Sequence, residues 1–371
     1  MSTHSLAEIV VDLEAIRGNL RRLRALTDTE VMAVVKADGY GHGMVEVARA
    51  AREADVRWLG VATLTEALAL RAAGDTGRVL CWLAAPDADY RPLIANDVDV
   101  TAYTAVQVQA IADAAREVGV PARLQLKFDT GLSRGGAPRA GWRALIDAAA
   151  AADAVVVTGL WSHFACSDEP DHPANDAQEK AFREAVELSR AAGLEPEVCH
   201  LANSAAAVLR PSSRFDLVRF GIALYGLSPA PAVVSEQDLG ITPAMTVRAT
   251  VVMNKDISQG DGVSYGHTFV APEDMPVALI PLGYGDGIPR AASSRAEVQL
   301  KRERAPLLGR VCMDQFVVGP TTALPGDVAV LFGDGSDGAP TAQDWAGWSD
   351  TIAYEIVTRM HGRADRRWVN Q

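Results

Sequence analysis

The sequence predicts an α/β protein in which a barrel of eight parallel strands and intervening helices is followed by a mainly antiparallel β domain. Three observations predict it. Between about residues 31 and 226, short β-branched runs alternate with Ala-, Leu-, Arg- and Glu-rich segments of helical periodicity, the pattern of repeated βα units. The runs number eight and are continuously apolar, as strands covered on both faces of a closed (TIM-type) barrel must be. Past the two prolines of SPAPAVV (228–234) the rhythm breaks and the chain turns β-rich. The expected division is 1–234 for the barrel and 235–371 for the β domain, with the first ten or so residues free to pack on the second. An open doubly wound sheet competes with the barrel, because a strand count does not show closure.

Along the chain, LEAIRGNLRRLRAL (13–26) reads as a helix, since Leu13, Ile16, Leu20, Leu23 and Leu26 share one face with arginines opposite. The predicted strands are VMAVVKA (31–37), WLGVAT (58–63), VLCWLA (79–84), VDVTAY (98–103), RLQLKFD (123–129), VVVTGLWSHF (155–164), EVCHLAN (197–203) and LVRFGIALYG (217–226). QEKAFREAVELSRAAG (178–193) is a second amphipathic helix, stopped by Gly193. In the β domain, MTVRATVVMNKDI, VALIPLGYG, AEVQLKRERAPLLGRVCM and DVAVLFG supply strands. Three GDG triplets (260–262, 285–287, 333–335) offer positive-φ positions for turns between antiparallel strands. SDTIAYEIVTRM (349–360) is expected to hold one helix, and the Arg-rich tail MHGRADRRWVNQ reads as a solvated basic tail.

Composition narrows the function. Of 371 residues, 49% are apolar and 22% charged, enough for a sizeable core. A formal charge of −12 argues against nucleic acid or an anionic membrane as the main partner. Cys81, Cys166, Cys199 and Cys312 are far apart and form no C-x-x-C pair, which favours a reduced compartment. The start, MSTHSLAEIVVD, carries Glu8 and Asp12 and does not read as a signal peptide. No apolar run reaches the roughly 18 residues of a membrane span. A cytoplasmic, soluble protein is expected.

Polar groups gather where a barrel puts its chemistry, at the carboxyl ends of strands. Lys36, in AVVKADGYGHG (33–43), sits between Val35 and Ala37, where a charged amine loses hydration unless it is partnered or bonded covalently as a Schiff base. A lysine snorkelling to water is the competing reading. Lys127 poses the same burial problem, and Arg134, among Gly131, Ser133 and Gly135, suits a bidentate carboxylate. Trp161, Ser162 and His163 end strand six, His200, Asn203 and Ser204 end strand seven, and Arg219 precedes Gly221 in strand eight. The histidines show no H-E-x-x-H spacing, so no metal is expected, and neither a G-x-S-x-G elbow nor a Walker sequence occurs.

Nine segments in register, AVVKADGYGHG, KFDTGLSR, SHFACSDE, HLANSAA, VRFGIALYG, SYGHTF, PLGYGDG, GRVCMDQ and TIAYEI, resemble those of the alanine racemases over essentially the whole chain. That resemblance implies a pyridoxal-phosphate enzyme, a homodimer with shared sites, in which Lys36 bonds to the cofactor. By position, Tyr40, Ser204 and Tyr354, with the amides near Gly221 and Ile222, would hold the phosphate, and Asn203 would join the cofactor site. Arg219 would meet the pyridine nitrogen, supported by His200 and His163. Tyr265 would act as the second base from the other subunit. Met313 and Asp314 would reach in from there too, the Met313 amide and Arg134 taking the substrate carboxylate. Lys127 matches a lysine carbamylated in some relatives, and Tyr284, Asp168, Arg290 and Arg310 would gate the entrance.

Racemisation needs a proton removed from one face of Cα and returned on the other, hence two groups flanking it, here Lys36 and Tyr265. An Arg at the pyridine nitrogen, unlike an Asp, would leave that nitrogen unprotonated and suppress side reactions. The expected function is L-/D-alanine interconversion supplying D-alanine for peptidoglycan. Two alternatives stay open: a racemase of serine or of broader range on the same fold, and a non-enzymatic pyridoxal-phosphate carrier, which would lack the β domain.

Overall fold

A computed structural model of the chain describes residues 5–371. Strand β1 (Ala7–Asp12) leads into the helix Leu13–Thr27, whose first N–H groups are capped by the Asp12 carboxylate. The helix buries Leu13, Ile16, Leu20 and Leu23, while Asn19 and Thr27 complete the inner face and Leu26 stays half-buried.

Eight strands follow: β2 (Glu30–Val34), β3 (Trp58–Thr63), β4 (Arg78–Leu83), β5 (Asp99–Ala102), β6 (Ala122–Lys127), β7 (Val155–Trp161), β8 (Val198–His200) and β9 (Leu217–Phe220). They pair in parallel in the order β8-β7-β6-β5-β4-β3-β2-β9. Two backbone hydrogen bonds span the remaining gap between β8 and β9, Asp216 N–H to Cys199 O (3.1 Å) and Arg219 N–H to Ala202 O (3.0 Å). The sheet is therefore a nearly closed barrel, not an open doubly wound sheet. β3 matches its predicted run and β4 is shifted by one residue, whereas the other six strands are shorter than the apolar runs that predict them. β2 stops at Val34 because Ala37 to Tyr40 adopt left-handed φ, which no strand contains.

The C-terminal strands are β10 (Met245–Thr250), β11 (Met253–Ile257), β12 (Gly262–Val263), β13 (Phe269–Val270), β14 (Met275–Ile280), β15 (Glu297–Leu300), β16 (Glu303–Leu308), β17 (Phe316–Val318), β18 (Val328–Phe332) and β19 (Asp365–Val369). β12 and β13 form a hairpin, and the rest join β1 in a nine-stranded sheet ordered β11-β14-β17-β16-β15-β18-β10-β1-β19. β1 lies antiparallel to β10 and parallel to β19, with Ile9 opposite both Val247 and Arg366. The Arg-rich tail is thus an edge strand, and Trp368 packs on the core instead of being solvated.

Two further expectations change. Gly260, Gly287 and Gly335 have positive φ, yet none of the GDG triplets joins two neighbouring antiparallel strands. The second lies in a 3-10 turn (Tyr284–Asp286) and the third leads from β18 towards a helix. The helix expected in 349–360 is the short Ala353–Thr358, and another, Ala342–Trp348, precedes it with a Thr341/Asp344 capping box. One continuous apolar core runs from Ile9 to Met360 through both parts. No helix among the described residues is long and apolar enough to cross a membrane.

Candidate active site

A cavity of about 560 Å³ opens at the carboxyl ends of the barrel strands. Lys36, Tyr40, Lys127, Arg134, His163, Asn203, Ser204, Arg219, Gly221, Ile222 and Tyr354 line it. Residues from six barrel strands or the loops after them meet there, Trp82 of β4 included, joined by the helix Ala353–Thr358 of the β domain.

Lys36 stands two residues past β2, at the head of a turn in which Ala37, Asp38, Gly39 and Tyr40 all have φ between 52° and 61°. Each non-glycine residue there costs roughly 1–2 kcal/mol, so the turn needs outside support. Glu66 supplies part of it, its carboxylate accepting the N–H groups of Ala37 (2.7 Å), Ala62 (2.8 Å) and Thr63 (2.9 Å). Burial, then the charge of Arg134 and to a lesser degree that of Arg219, lower the Lys36 amine below the usual lysine value, against an opposing pull from Glu66. Its Nζ lies 5.8 Å from the centre of the Trp82 ring and 5.9 Å from that of Tyr40.

Tyr40 and Tyr354 face each other with ring centres 6.3 Å apart, and burial raises both phenols, so both remain O–H donors. Gly221 lets the Tyr40 hydroxyl approach its backbone: a Cβ there would lie 2.4 Å from that hydroxyl, which would have to shift. The Gly221 N–H donates to Ser204 Oγ at 2.9 Å, which leaves the Ser204 proton free to donate into the cavity. Asn203 caps the helix Ser204–Leu209 through Oδ1, accepting from Ala206 N–H.

Arg219 is buried among acceptors. Its Nη2 reaches the Ser162 and Leu201 carbonyls (2.8 and 2.9 Å) and His163 Nδ1 (3.2 Å), and its Nη1 reaches His200 Nδ1 (2.8 Å). Burial lowers Arg219 only to about 9, so it is charged at neutral pH. Burial and the Arg219 charge hold both histidines well below 6.5, so they are neutral. A neutral His200 that accepts at Nδ1 carries its proton on Nε2, and Gln125 Oε1 lies 2.8 Å from that atom. Among the described residues, no carboxylate takes part in this Arg219–His200–Gln125 series of hydrogen bonds.

Lys127 ends β6 with Nζ 4.1 Å from the Trp161 ring centre. Burial, followed by Arg219, Arg134 and Lys36, lowers it to about 7. Arg134 is exposed at the rim and forms no ion pair with a carboxylate of the described residues.

Six other predicted residues, Tyr265, Tyr284, Arg290, Arg310, Met313 and Asp314, all of the β domain, lie apart from the cavity. Tyr265 is 70% exposed, Met313 54% and Tyr284 40%, and Asp314 and Arg290 are exposed as well. Five of the six cluster on one face of the β domain. Ser264 Oγ donates to the Arg310 carbonyl (2.6 Å), and the N–H groups of Tyr284 and Gly285 donate to the Cys312 and Met313 carbonyls. Arg363 pairs with Asp314 (2.6 Å) and with buried Asp286 (2.7 Å). Asp168 lines an adjoining cavity of about 480 Å³ that shares Arg134, His163, Asn203 and Tyr354 with the first.

Sequence reasoning missed Trp82, Gln125, Glu66 and Arg359. A tryptophan at the end of VLCWLA and a glutamine inside RLQLKFD were visible signals of the strand-end and buried-polar kind. Glu66 carried a capping-box signal, Thr63-x-x-Glu66, which does not reveal its reach to Ala37, and Arg359, at the cavity wall, carried none.

Two family models match this chain: "Alanine racemase, N-terminal domain" over residues 11–229 and "Alanine racemase, C-terminal domain" over 244–368. The chain belongs to the alanine racemase family. The alanine racemase of Salinispora arenicola is 51% identical over 359 residues, 95% of each chain, and that of Thermobifida fusca 50% over 368 residues, 98% of each. The crystal structure of alanine racemase from a D-cycloserine-producing Streptomyces lavendulae superposes with a TM-score of 0.98 at 48% identity, covering 100% of this chain and 98% of that one. The alanine racemase family thus accounts for both the barrel and the β domain.

Proposed function

We propose that the protein interconverts L- and D-alanine using pyridoxal 5'-phosphate, as a homodimer whose active sites are each completed by the partner subunit. The observation that carries this reading is Lys36, an amine of lowered pKa on the wall of a cavity that also holds a charged arginine without an acid beside it.

The residues fit the cofactor. Tyr40, Ser204 and Tyr354 hydroxyls, with the backbone at Gly221 and Ile222, suit a phosphate at one end, and the absent side chain of Gly221 lets the Tyr40 hydroxyl come close to that backbone. Lys36 would bond to the aldehyde carbon, and Arg219 would face the ring nitrogen with His163, His200 and Asn203 behind it. Bound there, the cofactor supplies the electron-withdrawing ring that acidifies the substrate Cα–H.

Lys36 Nζ takes or returns the Cα proton on one face, and Tyr265 of the partner subunit does so on the other. Arg219 keeps its proton at neutral pH and has only neutral or carbonyl acceptors around it, so it would donate a hydrogen bond to a ring nitrogen without handing over a proton, which would hold back side reactions. Arg134 binds the substrate carboxylate, helped by the backbone amide of Met313 of the partner subunit beside its Asp314. Lys127, lowered to about 7, is a nucleophile for carbon dioxide, and its carbamate would orient Arg134. Tyr284, Arg290 and Arg310 of the partner, with Asp168, line the entrance. The exposure of Tyr265 and Met313 supports a covering partner, since apolar surface of that kind is usually buried in a complex. Four free cysteines support a reducing cytoplasm, where D-alanine would be made for peptidoglycan.

The test is a circular-dichroism racemisation assay with L-alanine, serine and lysine, beside visible spectra of wild type and Lys36→Ala. Alanine turnover and a visible band lost in Lys36→Ala are expected; a band unchanged in that variant would remove the Lys36 assignment.

A further inference from the structure

The Arg-rich tail remains without a role in this scheme, and its position gives it one. β19 and the helix Ala353–Thr358 close on the left-handed turn after Lys36 from two sides. From β19, the Arg366 guanidinium pairs with the Asp38 carboxylate, which also accepts the Met44 N–H at 3.0 Å. Two residues on, Trp368 Nε1 donates to the His42 carbonyl at 2.8 Å. The indole lies so close over the turn that a Cβ at Gly43 would be 2.7 Å from its Cζ2. From the helix, the Val357 carbonyl fills the space a Cβ at Gly41 would take, 2.3 Å away. β19 is itself held by β1 along its length and by Arg17, whose guanidinium donates to the Asn370 carbonyl.

We propose that Arg366 and Trp368 are positioning residues for Lys36: the last strand of the β domain clamps the strained Lys36–Gly43 turn and so fixes where the reacting amine stands. The inference rests on Lys36 being the cofactor-bonded lysine. The reasoning is geometric. Ala37, Asp38 and Tyr40 occupy φ values that only outside contacts sustain, and β19 supplies two of those contacts, to Asp38 and His42. Glu66 holds the same turn at Ala37 from the barrel side. With β19 loosened, the turn relaxes and Nζ shifts, while Arg134 and the carboxylate site, on another loop, stay where they are.

The test uses the purified holoenzyme of wild type, Arg366→Leu, Arg366→Lys, Trp368→Phe and Lys36→Ala. It measures kcat, KM, the melting temperature, and the rate at which hydroxylamine bleaches the visible band of the bound cofactor. The expected result is a kcat about tenfold lower and bleaching about tenfold faster in Arg366→Leu and Trp368→Phe, with KM for alanine within about twofold. Arg366→Lys, which keeps the charge opposite Asp38, should recover most of both. A bleaching rate and kcat equal to wild type in Arg366→Leu and Trp368→Phe, with the band still lost in Lys36→Ala, would overturn the clamp alone. A band that survives in Lys36→Ala would overturn the Lys36 reading and the clamp with it.

Discussion

Arg219 sets the electrostatics of the site, because a buried guanidinium surrounded by neutral imidazoles and carbonyls is a fixed donor with no proton to trade. The arrangement works only if His200 is neutral and protonated on Nε2. Nitrogen-15 NMR of labelled enzyme should therefore show the neutral Nε2–H tautomer of His200 still present at about pH 6, below the usual histidine value; a protonated ring at that pH would contradict the assignment. Lys127 gives a second expectation. Its amine is lowered to about 7, so the neutral form that captures carbon dioxide grows as pH rises through that value and vanishes below it. A carbamate resonance from carbon-13 bicarbonate should appear above about pH 7 and be lost in Lys127→Ala. Much of this was legible as polar residues at the ends of apolar runs. What could not be read was the conformation around Lys36. The glycines at 39, 41 and 43 signal an unusual turn, but Ala37 and Asp38 adopt left-handed φ only because Glu66 and Arg366, remote in sequence, hold them there.

Strands and helices are fixed by a few buried polar contacts that the alternating pattern does not reveal. At the amino end of β5, fully buried Asp99 accepts from Arg78 (2.7 and 3.1 Å), Arg123 (3.1 Å) and Thr158 (2.6 Å), tying β4, β5, β6 and β7 together across the barrel floor. Asp99→Ala removes the buried carboxylate that Arg78 and Arg123 share, leaving them only their more exposed partners Glu197 and Asp97, and should cost about 2 kcal/mol in denaturant unfolding, against about 1 kcal/mol for Thr158→Val. Glycines separate in the same way. Gly41→Ala combines φ +81° with a contact of 2.3 Å to Val357 O, whereas Gly260→Ala has φ +92° and open space. The first should lose roughly 2 kcal/mol or more and the second roughly 1 kcal/mol. The eight barrel strands were readable because both their faces are buried. β19 was not, since DRRWV is a polar edge strand whose pairing with β1 spans the whole chain.

The barrel and the β domain share one core, and β1 is sewn into the sheet of the second before the chain enters the first. Within a single chain, however, the cavity holding Lys36 and the face holding Tyr265 are separate. The family resemblance named both groups and implied that Tyr265 comes from the other subunit, whereas the residues by themselves did not show this separation, which depends on how the domains fold against each other. In a twofold dimer, each cavity would meet the Tyr265 face of its partner, so each site draws one base from each subunit. Mixing Lys36→Ala with Tyr265→Phe subunits tests this directly. Neither parent dimer has an intact site, and a mixed dimer has one. Random reassortment should therefore restore about a quarter of wild-type racemisation, and no recovery after demonstrated subunit exchange would contradict a site shared between subunits.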